Sequence, residues 1–131
     1  LIFKWEEALN FEGNSAPFVQ YAHARCCSIL RKTGDFNKGA DLSVLTDPYE
    51  RKLIWILAQF HEVIRQAGDR RRINMLPIYG HELASALNQF YGVVQVLRSE
   101  HQDARLCLVE AARWTLRNTL VTMGIAAPEE M

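Results

Sequence analysis

The residues most able to do chemistry in this chain are a histidine and a cysteine four positions apart. On a helix, His23 and Cys27 would share one side and could supply half of a metal site. A zinc site needs three or four ligands, and neither a Cys-x-x-Cys pair nor a second paired cluster completes this one. The alternative is a small buried thiol beside a hydrogen-bonded imidazole, which is the commoner arrangement. The pattern therefore predicts no metal centre.

Sequence signatures of catalysis are also missing. Neither common glycine-rich phosphate loop occurs, and there is no Gly-x-Ser-x-Gly elbow. Cys27 as a nucleophile would need an activating base and an electropositive setting. The acidic pair Glu129 and Glu130 has no partner in the sequence that would make it an acid–base group. We therefore predict no catalytic residue in this chain.

Two other features suit nucleic acid better. Arg70, Arg71 and Arg72 would lie in a turn, as either a solvated basic cluster or a contact for phosphate. Tyr91 falls on an apolar helical stripe, where a ring usually packs in the core. At the edge of that stripe, the same ring would be a stacking platform for a single-stranded RNA base.

Length and charge limit the class of protein. The 131 residues fit one domain, 1–131, and the absence of an initiating methionine is compatible with a fragment of something longer. Fifteen basic and fifteen acidic residues cancel, which argues against holding nucleic acid by bulk electrostatics alone. No apolar run approaches the ~20 residues that cross a bilayer, so we expect no membrane partner. Three cysteines, two of them adjacent, do not suggest a disulfide framework and indicate a reducing cytoplasm.

Helices must position these side chains, because apolar residues repeat every three or four positions and no strand-like alternation occurs. The last helix, of about 22 residues, should end at Gly124. Its apolar face comprises Val109, Ala112, Leu116, Leu120 and Met123. Earlier helices are predicted over Phe18–Lys32, from a capping signal at Thr46-Asp47-Pro48 to near Gly68, and from Pro77 to about Ser99.

These four amphipathic helices predict an all-α bundle. Two more helical turns are possible, one in the lead-in formed by residues 1–13 and one in the loop around Ser43. We expect the lead-in to pack its aromatic side chains on the body of the bundle.

Several stretches resemble the arginyl-tRNA synthetase family. Phe11–Arg25 reads FEGNSAPFVQYAHAR, and with the preceding Phe3–Leu9 it resembles that family's passage from the catalytic core into the anticodon-binding domain. Asp103–Leu106 resembles the motif that names the DALR domain, an all-helical domain. The ending Pro128–Met131 is similar to the Pro-Glu-x-Met ending of the family.

The resemblance implies a helical bundle of the class I synthetase anticodon-binding type, with residues 1–13 leading in from a catalytic domain outside this chain. The whole protein would be a cytoplasmic arginine–tRNA ligase. ATP and arginine would be bound by that catalytic domain, and no cofactor would be bound by this chain. Its partners would be arginine tRNA and the catalytic domain, with no DNA.

The candidate RNA-binding residues are Tyr91, Gln95, Arg105, Met131, Arg70, Arg71 and Arg72. Some relatives in the family carry tryptophan one helical turn after the tyrosine, where Gln95 stands here. We expect the segment Ile125–Met131 to fold back onto the bundle and bring Met131 beside Tyr91. The alternative function is a helical protein-interaction module without RNA binding.

Overall fold

Six α-helices and one 3-10 turn form the part of the chain that the computed structural model describes, namely residues 2, 4–8, 16–72 and 74–131. The elements in chain order are α1 (Trp5–Ala8), α2 (Ala16–Thr33), the 3-10 turn (Leu42–Val44), α3 (Pro48–Ala58), α4 (Phe60–Asp69), α5 (Met75–Val93) and α6 (Gln102–Thr122). No β-strand occurs among these residues. The predicted all-α bundle is confirmed, including the two added turns.

The predicted apolar stripe of α6 lies at the centre of the core. Val109, Ala112, Leu116 and Leu120 are all 0% exposed, and Met123 packs against them from the end of the helix. Helices α2 and α5 bury their own predicted stripes on this face. Side-chain burial on this scale is the main stabilising term in a domain of this size.

Gly80 lets α2, α5 and α6 approach closely where they meet. A β-carbon built on Gly80 would lie 3.4 Å from Thr119 Cγ2 and 3.5 Å from Val19 Cγ2. These distances are ordinary van der Waals contact for one added carbon. A branched side chain would have to push against Thr119 or Val19, so this three-helix contact suits a small residue.

The chain enters α3 through the predicted start signal at residues 46–48. The Asp47 carboxylate accepts a hydrogen bond from the Tyr49 amide at 2.8 Å, and the Glu50 carboxylate accepts one from the Asp47 amide at 3.1 Å. This reciprocal capping box satisfies amides at the start of the helix that have no partner within it.

The single helix predicted from Pro48 to near Gly68 is wrong, because the structure divides it at Gln59. The Tyr79 hydroxyl, which comes from α5, donates to the Ile56 carbonyl at 2.8 Å. A continuous helix would offer that carbonyl to the Phe60 amide. Tyr79 thus competes with the Phe60 amide for the Ile56 carbonyl, at the point where α3 ends and α4 begins.

Smaller departures concern helix starts and the lead-in. Helix α5 begins at Met75, before the predicted Pro77. Trp5 is 71% exposed, so most of its side chain lies in solvent, and the expected packing of the lead-in aromatics stays a prediction. The other lead-in aromatics, Phe3 and Phe11, lie outside the described residues. No helix in the described part is both long and apolar enough to cross a membrane.

The end of α6 turns the chain back toward α2, as the predicted glycine cap requires. Gly124 has a φ of 74°, in the left-handed region that glycine tolerates best. Its amide donates to the Val121 carbonyl at 2.9 Å, and the Ile125 amide donates to the Leu120 carbonyl at 2.9 Å. These two bonds form a Schellman motif, which sends the last residues across the bundle.

Replacing Gly80 with valine should lower the free energy of unfolding by about 1–3 kcal/mol, because the added methyl groups would overpack the three-helix contact. The matched control is Gly92→Val in the same helix, where a β-carbon would meet nothing within 4 Å. We expect this control to change stability by less than about 0.5 kcal/mol. Urea unfolding followed by circular dichroism measures both. Equal effects of the two changes would contradict the packing argument.

Candidate nucleic-acid interface

The last residues of the chain, 125–131, form a tail that lies across α2. Three side chains of α2 donate hydrogen bonds to tail carbonyls: Gln20 to Ala126 at 2.8 Å, His23 to Pro128 at 2.9 Å and Arg31 to Glu129 at 3.4 Å. The polar part of this docking therefore uses the tail backbone, while the side chains of Ile125 and Ala127 pack against the core. The prediction that this segment folds back onto the bundle is confirmed.

His23 and Cys27 form the buried part of this docking. His23 is 1% exposed, and because a carbonyl can only accept, its Nδ1 must carry the proton given to Pro128. Its Nε2 then lies 3.7 Å from Cys27 Sγ and accepts from the thiol. Burial lowers the pKa of His23 and raises the pKa of Cys27, so both groups are held neutral.

The pair consequently fits the alternative interpretation, a buried thiol beside a hydrogen-bonded imidazole. A reactive cysteine needs a lowered pKa, and burial moves the pKa of Cys27 the other way. Among the described residues, no group of three or more histidine, cysteine or acidic side chains is placed to hold a metal ion. His23 instead serves to fix the tail.

A groove opens between α2 and the end of the tail, with a volume of about 400 Å³. Its lining residues are Tyr21, Ala24, Arg25, Ser28, Arg31, Glu129, Glu130 and Met131. Tyr21 is 58% exposed and Met131 is 61% exposed, so an aromatic ring and a thioether both face solvent here. A polarisable thioether and an aromatic ring are both good contacts for another ring.

Arg25 connects this groove to Tyr91. Its guanidinium carbon lies 4.8 Å from the centre of the Tyr91 ring, and its Nη1 donates to Asn88 Oδ1 at 3.2 Å. Tyr91 is half-buried and packs on the core with the rest of its ring. It therefore lies at the edge of its stripe. Arg25 borders the groove that Met131 lines and also lies over the Tyr91 ring, while the predicted position of Met131 beside Tyr91 stays a prediction.

The charges in the groove nearly balance. Arg25 and Arg31 face the carboxylates of Glu129 and Glu130, and Arg31 Nη2 lies 3.6 Å from Glu130 Oε1. An isolated phosphate gains little from such a site, because the acidic side chains oppose it. A planar, uncharged group with hydrogen-bonding edges suits the groove better.

Tyr21 and Arg25 are the residues that sequence reasoning missed. They lie four positions apart on α2, so they share one helical face, and that face would otherwise be an ordinary solvated surface. An exposed aromatic and an arginine at this spacing are a weak signal alone. They line a groove only because the tail returns beside them.

The remaining predicted contacts are more dispersed. Gln95 is exposed just after α5. Arg105 is only 17% exposed and points inward to Glu50, so its predicted contact with RNA stays a prediction. Arg70, Arg71 and Arg72 are exposed in the turn before α5. At about 1.5 Å per residue, the start of α5 lies about 24 Å from Tyr91, so the structure does not bring this cluster to the groove.

Comparison with known proteins matches the chain to one family. A family profile described as "DALR anticodon binding domain" matches residues 19–131. The arginine–tRNA ligase of Pyrococcus abyssi is 48% identical over 138 residues, covering 100% of this chain and 22% of that protein. The arginine–tRNA ligase of Methanocella arvoryzae is 48% identical over 135 residues, covering 100% of this chain and 23% of that protein.

The fold agrees with the sequence comparison. The solved arginyl-tRNA synthetase of Thermus thermophilus superposes with a TM-score of 0.88 at 39% sequence identity. That match covers 98% of this chain and 23% of the Thermus chain. This chain thus spans under a quarter of the length of each of these three relatives.

The stability of the chain should depend on pH through His23. Burial lowers the pKa of His23 from its ordinary value of 6.5, so the unfolded chain takes up this proton first as the pH falls. The contribution of neutral His23 is complete above 6.5 and is lost below it, by at most about 1.4 kcal/mol per pH unit.

Urea unfolding between about pH 8 and about pH 5 measures this dependence. The comparison variant is His23→Gln, whose amide can still donate to Pro128 and does not titrate. We expect the wild type to lose more stability than the variant across this range. Parallel curves would show that His23 does not titrate on unfolding.

Proposed function

This chain belongs to the DALR anticodon-binding domain family, and we propose that it reads the anticodon of arginine tRNA as part of an arginine–tRNA ligase. The whole protein would join arginine to its tRNA in the cytoplasm. ATP and arginine would be bound by a catalytic domain outside this chain. The observation that carries the proposal is the groove between α2 and the tail, which brings together the exposed Tyr21 ring, the Met131 thioether and Arg25. Arg25 also lies over the Tyr91 ring.

An anticodon base would enter the groove as an uncharged, planar group. Its faces would meet the Tyr21 ring and the Met131 thioether, and its polar edge would meet the Arg25 guanidinium, which has fixed donors. Tyr91 would supply a second ring, once Arg25 gives up part of its contact with that ring. Stacking of one base on an aromatic side chain contributes about 1–3 kcal/mol.

Other predicted contacts would act outside the groove. Gln95 would hydrogen-bond a neighbouring base from the loop after α5. Arg70, Arg71 and Arg72 would contact phosphates on another part of the tRNA, since phosphate contacts position a nucleic acid without reading its sequence. A reader of this kind needs no excess of positive charge, which agrees with the formal net charge of zero.

Binding of full-length protein to arginine tRNA tests the proposal. The comparison is the same tRNA with a changed anticodon, at low and at high salt, since backbone contacts alone weaken steeply with salt. We expect the anticodon change to weaken binding at both salt concentrations. Equal binding of both tRNAs would favour the protein-interaction module without RNA recognition.

Replacing Tyr91 with leucine should weaken binding of arginine tRNA by about 1–3 kcal/mol, because the stacking face is lost while apolar packing on the core remains. Tyr91→Phe is the matched control, since it keeps the ring and removes only the hydroxyl group. Affinity and thermal stability are measured together for both variants. A loss of stability in Tyr91→Leu without a loss of affinity would assign the ring to the core alone.

The tail should contribute to binding and to stability separately. Met131→Ala removes the thioether from the groove and leaves the backbone docking in place, so affinity should fall without a change in melting temperature. Deletion of Pro128–Met131 should in addition lower the free energy of unfolding by about 1–3 kcal/mol, because buried His23 loses its carbonyl partner. Unchanged affinity in both variants would remove Met131 from the site.

A further inference from the structure

The carboxylate of Glu50 is buried completely at the start of α3, with its side chain 1% exposed. One oxygen, Oε2, accepts from the Asp47 amide in the capping box at 3.1 Å. The other, Oε1, accepts from Arg105 Nε at 2.7 Å, although the two residues are 55 positions apart. A buried carboxylate without a cationic partner would be strongly destabilising, so Arg105 is held in place by this pair.

Arg105 also holds the loop between α5 and α6, which is residues 94–101. Its Nη1 donates to the backbone carbonyl of Gln95 at 2.9 Å. Nε and Nη1 belong to one rigid, planar guanidinium, so the position of the Gln95 carbonyl is fixed relative to the Glu50 carboxylate. The same residue, Gln95, has an exposed side chain four positions after Tyr91, beyond the end of α5. Its Nε2 donates to the Leu97 carbonyl at 3.2 Å within the same loop, and its Oε1 has no hydrogen bond with the described residues.

We infer that Arg105, held by Glu50, is a positioning residue that sets the place of Gln95 for reading the tRNA. This inference rests on the proposed function. It gives Arg105 a different role from the direct RNA contact predicted for it, because two of its nitrogen atoms are already engaged within the protein. Arg105 acts on the RNA only through the loop that it holds.

A second set of hydrogen bonds within the loop transmits the hold of Arg105 on the Gln95 carbonyl to the rest of the loop. Ser99 Oγ donates to the Val96 carbonyl at 2.8 Å, and the Arg98 amide donates to Gln102 Oε1 at 2.7 Å. Arg98 itself has a φ of 58°, which is uncommon for a residue with a β-carbon. The loop therefore has a defined internal shape, and moving the Gln95 carbonyl moves this shape relative to α5.

Arginine can bond to the Glu50 carboxylate and the Gln95 carbonyl at the same time, and lysine cannot do so in the same fixed geometry. A lysine ammonium could pair with Glu50, but it is a point charge on a flexible stem and lacks the planar fork that reaches two acceptors in fixed directions. Arg105→Lys therefore keeps the charge and releases the loop. Glu50→Gln keeps the shape of the side chain and removes the charge that orients Arg105.

The test uses full-length protein and arginine tRNA, with Gln95→Ala as the second mutation of a double-mutant cycle. We expect Arg105→Lys to weaken binding between about twofold and thirtyfold. In the Gln95→Ala background, the same change should have almost no further effect, since the side chain that it positions is gone. Glu50→Gln should behave in the same way. The control is Arg65→Lys, which alters an exposed ion pair with Glu62 on α4.

Hydrogen exchange of the backbone amides separates positioning from general stability. Arg105→Lys should raise exchange in residues 94–101 and leave α2 protected. Unfolding of both Arg105→Lys and Glu50→Gln, or fully additive effects with Gln95→Ala, would overturn the inference and leave a structural role. Wild-type protein that binds no arginine tRNA would instead contradict the proposed function.

Discussion

A carboxylate cannot stay charged inside a protein without partners, and Glu50 meets this requirement with groups from two segments. The Asp47 amide comes from the start of its own helix, the Arg105 guanidinium comes from α6, and through Arg105 the pair reaches the Gln95 carbonyl. Apolar packing alone would tolerate small slides of α3 against α6. The buried charge removes that freedom, because any slide would leave it unpaired.

Local signals predicted much of the fold, and they failed where a distant residue decides. Leu116 lies at the centre of the core because its spacing on α6 marks a buried face. Gly124 ends α6 because glycine suits the required φ. At the break at Gln59, the Ile56 carbonyl accepts from the Tyr79 hydroxyl, which comes from another helix. No local pattern in the sequence of α3 shows that contact.

The candidate site shows the same difference between local sequence signals and contacts with distant residues. Tyr91 could be singled out because an aromatic ring on a helical stripe has only two common roles. Arg25 could not, because its significance arises from a ring and a tail that lie far from it in sequence. The sequence predicts Arg105 as an RNA contact and gives no sign of its pairing with Glu50, which is 55 residues away. The sequence alone does not show which distant segments come into contact.

The way in which the tail docks has an evolutionary consequence. Helix α2 holds the tail through the carbonyl oxygens of Ala126, Pro128 and Glu129, and every amino acid carries such an oxygen. The docking thus does not depend on which side chains the tail carries at these positions. Mutations could therefore change the side chains at the rim of the groove while the backbone of the tail keeps its position. The backbone bonds set the position of the tail, and the side chains at its exposed positions are left free to change under natural selection.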